Sequence, residues 1–209
     1  MTTFAVVAGA VGAQLSGGVV IVLGFANLVA DGFSMAVSNY LGTKSEQEVV
    51  EMARRNERHH IRHVPEGERE EVRQIFASKG LSADVIDKIV EVITNNPWLW
   101  VETMLQEEHG LQLNGRRPMR AALATFCAFT VFGLVPLLPF SIQLWEGGTR
   151  FAASCVLTGL AFAGVGATKA RLLERPLLRS ALETLLTGGG AAALAYLIGA
   201  WLRRAFGVL

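Results

Sequence analysis

Long apolar stretches alternate with one polar stretch along this chain. Four stretches contain no Asp, Glu, Lys or Arg: residues 1–30, 121–145, 151–168 and 184–202. A hydrocarbon core about 30 Å thick needs roughly 20 apolar residues of helix, so these stretches predict membrane-spanning helices. The polar stretch shows no alternating strand pattern, and the expected fold is an all-α, polytopic membrane protein.

The first apolar stretch is interrupted at residues 14–18 by the turn-like run QLSGG. The piece before this run would rise only about 20 Å as a helix, too little to cross a bilayer. The piece after it, 17–41, is long enough to span. Three further spans are predicted at 120–144, 151–168 and 185–202. About five spans are therefore expected, the first of them partial.

Between the second and third spans lies a polar insert, which holds 14 of the 18 acidic residues and all four histidines. Ser45 is predicted to cap a charged helix that runs to about residue 63. Further helices are predicted to begin at Pro65, Ser82 and Trp98, the last continuing to about Leu111. The expected regions are 1–42 (spans one and two), 43–117 (the helical insert) and 118–209 (spans three to five).

Charge limits the partners and sets the orientation. Residues 43–120, which are the insert and its flank up to Arg120, hold 12 basic and 14 acidic residues, so nucleic acid is not an expected partner, whereas the lipid bilayer is. The connection between the last two spans is basic and therefore predicted to be cytoplasmic; it contains Lys169, Arg171, Arg175 and Arg179. Counting spans backwards places the insert in the cytoplasm too.

The second span contains an acidic residue, Asp31, whose charge would cost roughly 2.5 to 3.5 kcal/mol on insertion. Asn27, Asp31, Met35 and Asn39 recur every four residues and share one helix face. Carboxylate, amide and thioether donors suit a divalent cation of intermediate softness. A polar seam between helices is the alternative, but Asp31 and Met35 favour a transport pathway, with Asn39 as its third residue.

Candidate metal ligands in the insert recur at helical spacing. The pairs are Glu57 and His60, Glu68 and Glu71, and Met104 and Glu108. Side chains three or four residues apart share a helix face and can bind one ion. Solvated helices also carry such pairs without any metal, so each pair alone favours an ordinary charged surface. The confinement of the histidines to this segment favours metal binding.

Catalytic motifs are scarce. Glu57-x-x-His60 matches half of a di-iron pattern that needs two such motifs. Glu108 and His109 are not expected to supply the second, because adjacent helical residues face different directions. The sequence has no glycine-rich phosphate loop, Gly-x-Ser-x-Gly or Cys-x-x-Cys. The protein is therefore expected not to be an enzyme and to need no organic cofactor.

Four motifs carry a resemblance to a known family: ADGFSMAVSNYLGTKSE at 30–46, NERHHIRHVPEGEREEVR at 56–73, WVETMLQEEHG at 100–110 and KARLLERPLLRSALE at 169–183. They resemble the vacuolar iron transporter family in its bacterial form, over essentially the whole chain. The resemblance implies a homodimer of five-span subunits with a cytoplasmic metal-binding domain between spans two and three. It also implies exchange of divalent metal for protons.

The resemblance assigns roles to individual residues. Met35 matches the family's methionine in the second span, and His60 stands where plant relatives carry glutamate. The implied ligands in the cytoplasmic domain are Glu57, Glu68, Glu71, Met104 and Glu108. Two departures are expected to weaken the membrane site: Asn39 replaces a glutamate common in plant members, and the chain begins after the aspartate usual in the first span.

The resulting hypothesis is a ferrous iron or manganese transporter in a bacterial plasma membrane, working by metal/proton antiport out of the cytosol. A membrane-tethered metal buffer or sensor is the first alternative. A membrane-anchored di-iron ferroxidase is the second.

Overall fold

The computed structural model describes residues 1–113, 115–142 and 148–207, which form helices and no strand. The α-helices are α1 (Thr2–Gly12), α2 (Gly17–His63), α3 (Pro65–Ser78), α4 (Ala83–Thr94), α5 (Pro97–Glu107), α6 (Pro118–Leu134), α7 (Leu138–Ser141), α8 (Gly148–Leu172) and α9 (Leu177–Phe206). A 3₁₀ turn at Val135–Leu137, containing Pro136, separates α6 from α7. The all-α prediction is confirmed.

Among the described residues, four helical segments are long and apolar enough to cross a membrane: α2, α6 together with α7, α8, and α9. Helix α1 is apolar but has only 11 residues. Large apolar side chains on these spans point outward, with Phe33 64% exposed and Leu186 67% exposed. Such surfaces are stable against lipid and costly in water. The prediction of a polytopic membrane protein is confirmed.

Helix α2 corrects one prediction. It is a single helix of 47 residues with Ser45 in its interior, so the predicted N-cap at Ser45 is wrong. Glu46, Gln47 and Glu48, which follow Ser45, are good helix formers, and Nζ of Lys44 lies 3.6 Å from Oε1 of Glu48, one turn later. Continuous helix propensity therefore outweighs the local capping pattern.

The described residues divide into two compact units. The membrane unit comprises Met1–Val37 and Ala122–Leu209, and the insert unit comprises Ser38–Ala121. In the membrane unit α1 packs closely on α9. A Cβ atom on Gly12 would collide with the carbonyl oxygen of Tyr196, and one on Gly199 with that of Gly9. The two glycines therefore permit a helix contact that larger residues would prevent.

The insert unit has its own apolar core beneath α3, α4 and α5. This insert core comprises Val72, Ile86, Val90, Ile93, Trp100 and Met104. Helix α5 begins where the sequence predicts an interruption, because the Asn96 side chain accepts hydrogen bonds from the backbone N–H groups of Trp98 and Leu99 at 3.1 and 3.2 Å. The core fixes α3, which carries Glu68 and Glu71, and α5, which carries Met104 and precedes Glu108.

Candidate metal centre

Glu57, on the last turns of α2, is a buried acid with only 3% of its surface exposed. Its Oε1 lies 2.9 Å from Nε2 of His109. Its Oε2 has no hydrogen-bond partner among the residues that the structure describes. A buried carboxylate oxygen without a donor is costly, so this atom is suited to a cation.

Glu68, on the first turn of α3, is the second buried acid, 6% exposed. Its Oε2 also lacks a hydrogen-bond partner within the described part of the chain. Burial, together with the negative charges of Glu57 and Glu71, raises the pKa of Glu68 to about 7. Such a pKa indicates a site with a deficit of positive charge, which a divalent ion would correct.

His60 completes the first donor group. It lies on α2 one turn after Glu57, and its Nδ1 is 3.5 Å from Oε1 of Glu68. One donor atom from each of Glu57, His60 and Glu68 lies within 4.8 Å of the others. Metal–ligand bonds of about 2.1 Å place neighbouring donors about 3 to 4 Å apart, so small side-chain rotations bring the three onto one ion.

A second donor group comprises Glu57, Glu108 and His109, again within 4.8 Å of one another. The predicted helix to Leu111 is wrong here: α5 ends at Glu107. The backbone N–H groups of Glu108 and His109 both donate to the carbonyl oxygen of Met104, at 3.0 and 3.3 Å. Because the His109 N–H bonds to the carbonyl five residues back rather than four, regular helical geometry ends here and the two adjacent side chains converge, contrary to the expectation that they face apart.

His109 is therefore a donor that sequence reasoning missed. The available signal was Gly110, which has a positive φ of 64° and is the residue type that ends helices. The hydrogen bond to Glu57 raises the pKa of the His109 imidazole, and burial raises that of Glu108.

Two predicted ligands lie outside these groups. Glu71 is exposed on α3, and its negative charge raises the pKa values of Glu68 and Glu108. Met104 is completely buried in the insert core, where packing alone explains a methionine. Their roles as ligands remain predictions.

An ion pair holds α5 against α2 beside the centre. Nη2 and Nε of Arg54 lie 2.7 and 3.0 Å from Oε1 of Glu102. These side chains are 20% and 13% exposed, respectively, so water screens them little. Glu51 also pairs with Arg54. The Arg54 guanidinium therefore pairs with Glu51 and Glu102 and not with the carboxylates of the candidate metal centre.

The residues of the predicted membrane pathway do not form a donor group like those of the insert. Asp31 is half-buried and accepts a hydrogen bond of 2.9 Å from Nδ2 of Asn27, while Met35 is 47% exposed. Asn39 belongs to the insert unit, where it accepts a 3.3 Å hydrogen bond from Oγ1 of Thr43. In the described ranges Asp31 is not part of any group of three His, Cys, Asp or Glu donors.

Comparison with known proteins identifies the family. The VIT family profile matches residues 1–200. The chain belongs to the VIT family. It is 31% identical to the vacuolar iron transporter of Toxoplasma gondii, over 99% of this chain and 72% of that protein. It is 32% identical to vacuolar iron transporter 1 of Arabidopsis thaliana, over 92% of this chain and 77% of the plant protein.

Membership of the VIT family confirms the resemblance drawn from the four sequence motifs. It also agrees with the four helical segments, within the described part of the chain, that are long and apolar enough to cross a membrane. The two donor groups thus lie in the insert unit of an integral membrane protein of the VIT family.

Proposed function

We propose that this chain moves divalent metal, ferrous iron or manganese, out of the cytosol in exchange for protons. The observation that carries this proposal is the buried pair of carboxylates, Glu57 and Glu68, each with an oxygen unsatisfied by the described residues. A divalent cation supplies the charge that such a pair requires. The names of the relatives, vacuolar iron transporters, support iron as the cargo.

The insert would capture the ion. Carboxylate oxygen and imidazole nitrogen together suit first-row ions such as Fe²⁺ and Mn²⁺. Glu57 belongs to both donor groups, so one carboxylate can serve two neighbouring ions. The proposed ligands are Glu57, His60, Glu68, Glu108 and His109, with Glu71 and Met104 as further candidates.

The membrane unit would pass the ion on. Met35 is 47% exposed and Asp31 half-buried on a helix that spans the membrane. A charge facing lipid costs several kcal/mol, and a second copy of the chain covering this face would remove that cost. We therefore propose a homodimer with Asp31 and Met35 on the pathway and Asn39 as its third residue. A carboxylate that has released metal can accept a proton, which couples the two flows.

Orientation follows from the distribution of positive charge. The connection between α8 and α9 carries basic residues on both sides, among them Lys169 and Arg179. The positive-inside rule places this connection in the cytoplasm. Two spans separate it from the insert, so the proposed orientation has the insert in the cytoplasm too. The proposed host membrane, a bacterial plasma membrane, rests on the resemblance of the motifs to the bacterial form of the family.

Anaerobic Fe²⁺ and Mn²⁺ flux into sealed proteoliposomes, with and without a proton gradient, tests the proposal. We expect gradient-dependent flux that E57Q or E68Q reduces strongly. E66Q is the matched control, because Glu66 lies on the same turn of α3 with its side chain 85% exposed. Metal binding without flux would instead favour a tethered buffer. Equal flux in E57Q, E68Q and E66Q would remove the buried carboxylates from the mechanism.

One observation favours a second candidate, a ferroxidase. The donor groups share Glu57, as a carboxylate does when it bridges two iron ions. This function predicts oxygen consumption on addition of Fe²⁺ to the purified protein, lost in H60A and in H109A. Fe²⁺ binding with no oxygen uptake would exclude it.

A further inference from the structure

Two histidines that belong to neither donor group lie together at the end of α2. The ring centroids of His59 and His63 are 4.0 Å apart, with an angle of 30° between the rings. Both residues are exposed to solvent. They are four residues apart, as are the two histidines that bind zinc from one helix in the His-Glu-x-x-His motif. The spacing brings two imidazoles within reach of one ion.

Hydrogen bonding fixes the protonation of the second ring. Nδ1 of His63 lies 2.8 Å from the backbone carbonyl oxygen of His59. A carbonyl oxygen can only accept, so Nδ1 carries the hydrogen, and the neutral ring has its lone pair on Nε2. Histidines that bind metal commonly donate their other ring N–H to a carbonyl in this way. The His63 ring is therefore already oriented as a ligand through Nε2.

The electrostatic surroundings also favour a cation. His63 is the last residue of α2, where unpaired carbonyl groups carry the negative end of the helix dipole. Arg58 and Arg62 flank the pair in sequence, but both are exposed, and their charge is screened by solvent and salt. Neutral imidazoles suit borderline ions such as Zn²⁺ and Ni²⁺ better than Mn²⁺.

We propose that His59 and His63 form a second metal site, exposed and built on imidazole, which binds Zn²⁺ or Ni²⁺ with water completing the coordination. This site is separate from the carboxylate centre, and its existence does not depend on transport. His60 is the nearest link between them: its ring centroid is 6.2 Å from that of His59, and its Nδ1 is 3.5 Å from Oε1 of Glu68.

The test measures bound metal per chain on the 209-residue protein in detergent, purified with a tag that contains no histidine. Equilibrium dialysis at one fixed pH is run separately with Zn²⁺ and with Mn²⁺. We expect H59A and H63A each to lose one Zn²⁺ per chain and to keep their Mn²⁺. N56A, a change at an exposed residue one turn earlier on α2, is the control for the substitution itself.

E57Q is the reciprocal variant. We expect it to lose bound Mn²⁺ and to retain the Zn²⁺ ion that H63A loses. Unchanged Zn²⁺ stoichiometry in both H59A and H63A would overturn the second site. Parallel loss of Zn²⁺ and Mn²⁺ in the histidine variants would also overturn it, because the pair would then belong to the carboxylate centre. Circular dichroism of every variant establishes that the helices are intact.

Discussion

Nε2 of His109 lies 2.9 Å from Oε1 of Glu57, although 52 positions separate the two residues along the chain. The contact joins the turn after α5 to the end of α2. A protonated imidazole here supplies the positive charge that a buried carboxylate needs, and the same ring nitrogen is a donor that a metal ion can take. His109 can therefore stabilise Glu57 in the metal-free protein and bind beside it in the loaded one.

H109A is expected to destabilise the metal-free protein by about 1 to 3 kcal/mol, because a buried carboxylate loses its hydrogen-bond partner. It should also lower Mn²⁺ affinity at least about tenfold, as the loss of supporting contacts at metal sites commonly does. Thermal unfolding with a chelator and isothermal titration calorimetry measure the two effects.

The control for H109A lies two residues earlier. Glu107 pairs with Lys79 at a partly exposed position, and such pairs contribute little to stability. E107Q should therefore leave unfolding and Mn²⁺ affinity nearly unchanged. Equal behaviour of H109A and E107Q would show that the contact with Glu57 contributes nothing.

Removing the Arg54–Glu102 ion pair should weaken metal binding without removing a ligand. E102A leaves the Arg54 guanidinium with only its exposed partner Glu51, which is expected to cost about 1 to 3 kcal/mol. Without this ion pair α5 is held less firmly against α2, and the Glu108 and His109 donors are positioned less precisely relative to Glu57. Mn²⁺ affinity measured by calorimetry should fall, while the number of ions bound at saturation stays the same.

The exposed pair Arg73–Asp87 is the control for E102A. Its oxygen–nitrogen distance is a similar 2.8 Å, but the side chains are 44% and 66% exposed. D87A should therefore change neither unfolding nor affinity measurably. A loss of bound ions in E102A, rather than of affinity, would make Glu102 a ligand instead of a positioning residue.

The stability of the metal-free protein should depend on pH through Glu68. Its pKa is raised from 4.5 to about 7 in the folded state, so folding favours the protonated carboxyl. The resulting stabilisation is complete below pH 4.5 and is lost as the pH rises through about 7, to the extent of about 3 kcal/mol. The raised pKa values of Glu108 and His109 act in the same direction. The melting temperature should therefore fall across this range.

E68Q tests the assignment of this slope. A neutral amide cannot ionise, so E68Q should flatten the pH dependence and melt at a higher temperature than the unmodified chain at pH 8 without metal. The same variant should bind Mn²⁺ more weakly, because the charge of a buried carboxylate destabilises the metal-free protein but attracts the metal ion. E66Q should retain the full slope. A slope unchanged in E68Q would assign it to other groups.

Local sequence patterns predicted much of the fold. Apolar length predicted the spans, and Pro65 and Ser82 predicted where α3 and α4 begin, because these signals are contained within a few residues. The spacing of Glu57 and His60 placed both on one face of α2, as the structure shows. The N-cap at Ser45 was wrong because the helix of the second span continues through this position into a segment of good helix formers, and a local capping pattern does not stop it.

Local sequence patterns could not predict which residues from different helices come together. Glu68 joins Glu57 because α3 folds back after Pro65, and periodicity within a helix carries no information on which helices pack together. Predicting His109 as a ligand required the exact end of α5, because a shift of a few residues there changes the direction of every later side chain. Gly110 signals the end of α5, but only the tertiary structure brings His109 to Glu57.

The last prediction concerns the membrane unit. D31N and M35A should each abolish Fe²⁺ flux into proteoliposomes, because the first removes the acid of the second span and the second removes the thioether beside it. Both variants should retain Mn²⁺ binding at the insert, whose donors lie elsewhere in the chain. F33L is the matched control, since Phe33 lies between the two in sequence and is 64% exposed on a lipid-facing span. Normal flux in both D31N and M35A would disprove the pathway, whereas loss of flux in F33L as well would attribute the effect to packing of α2.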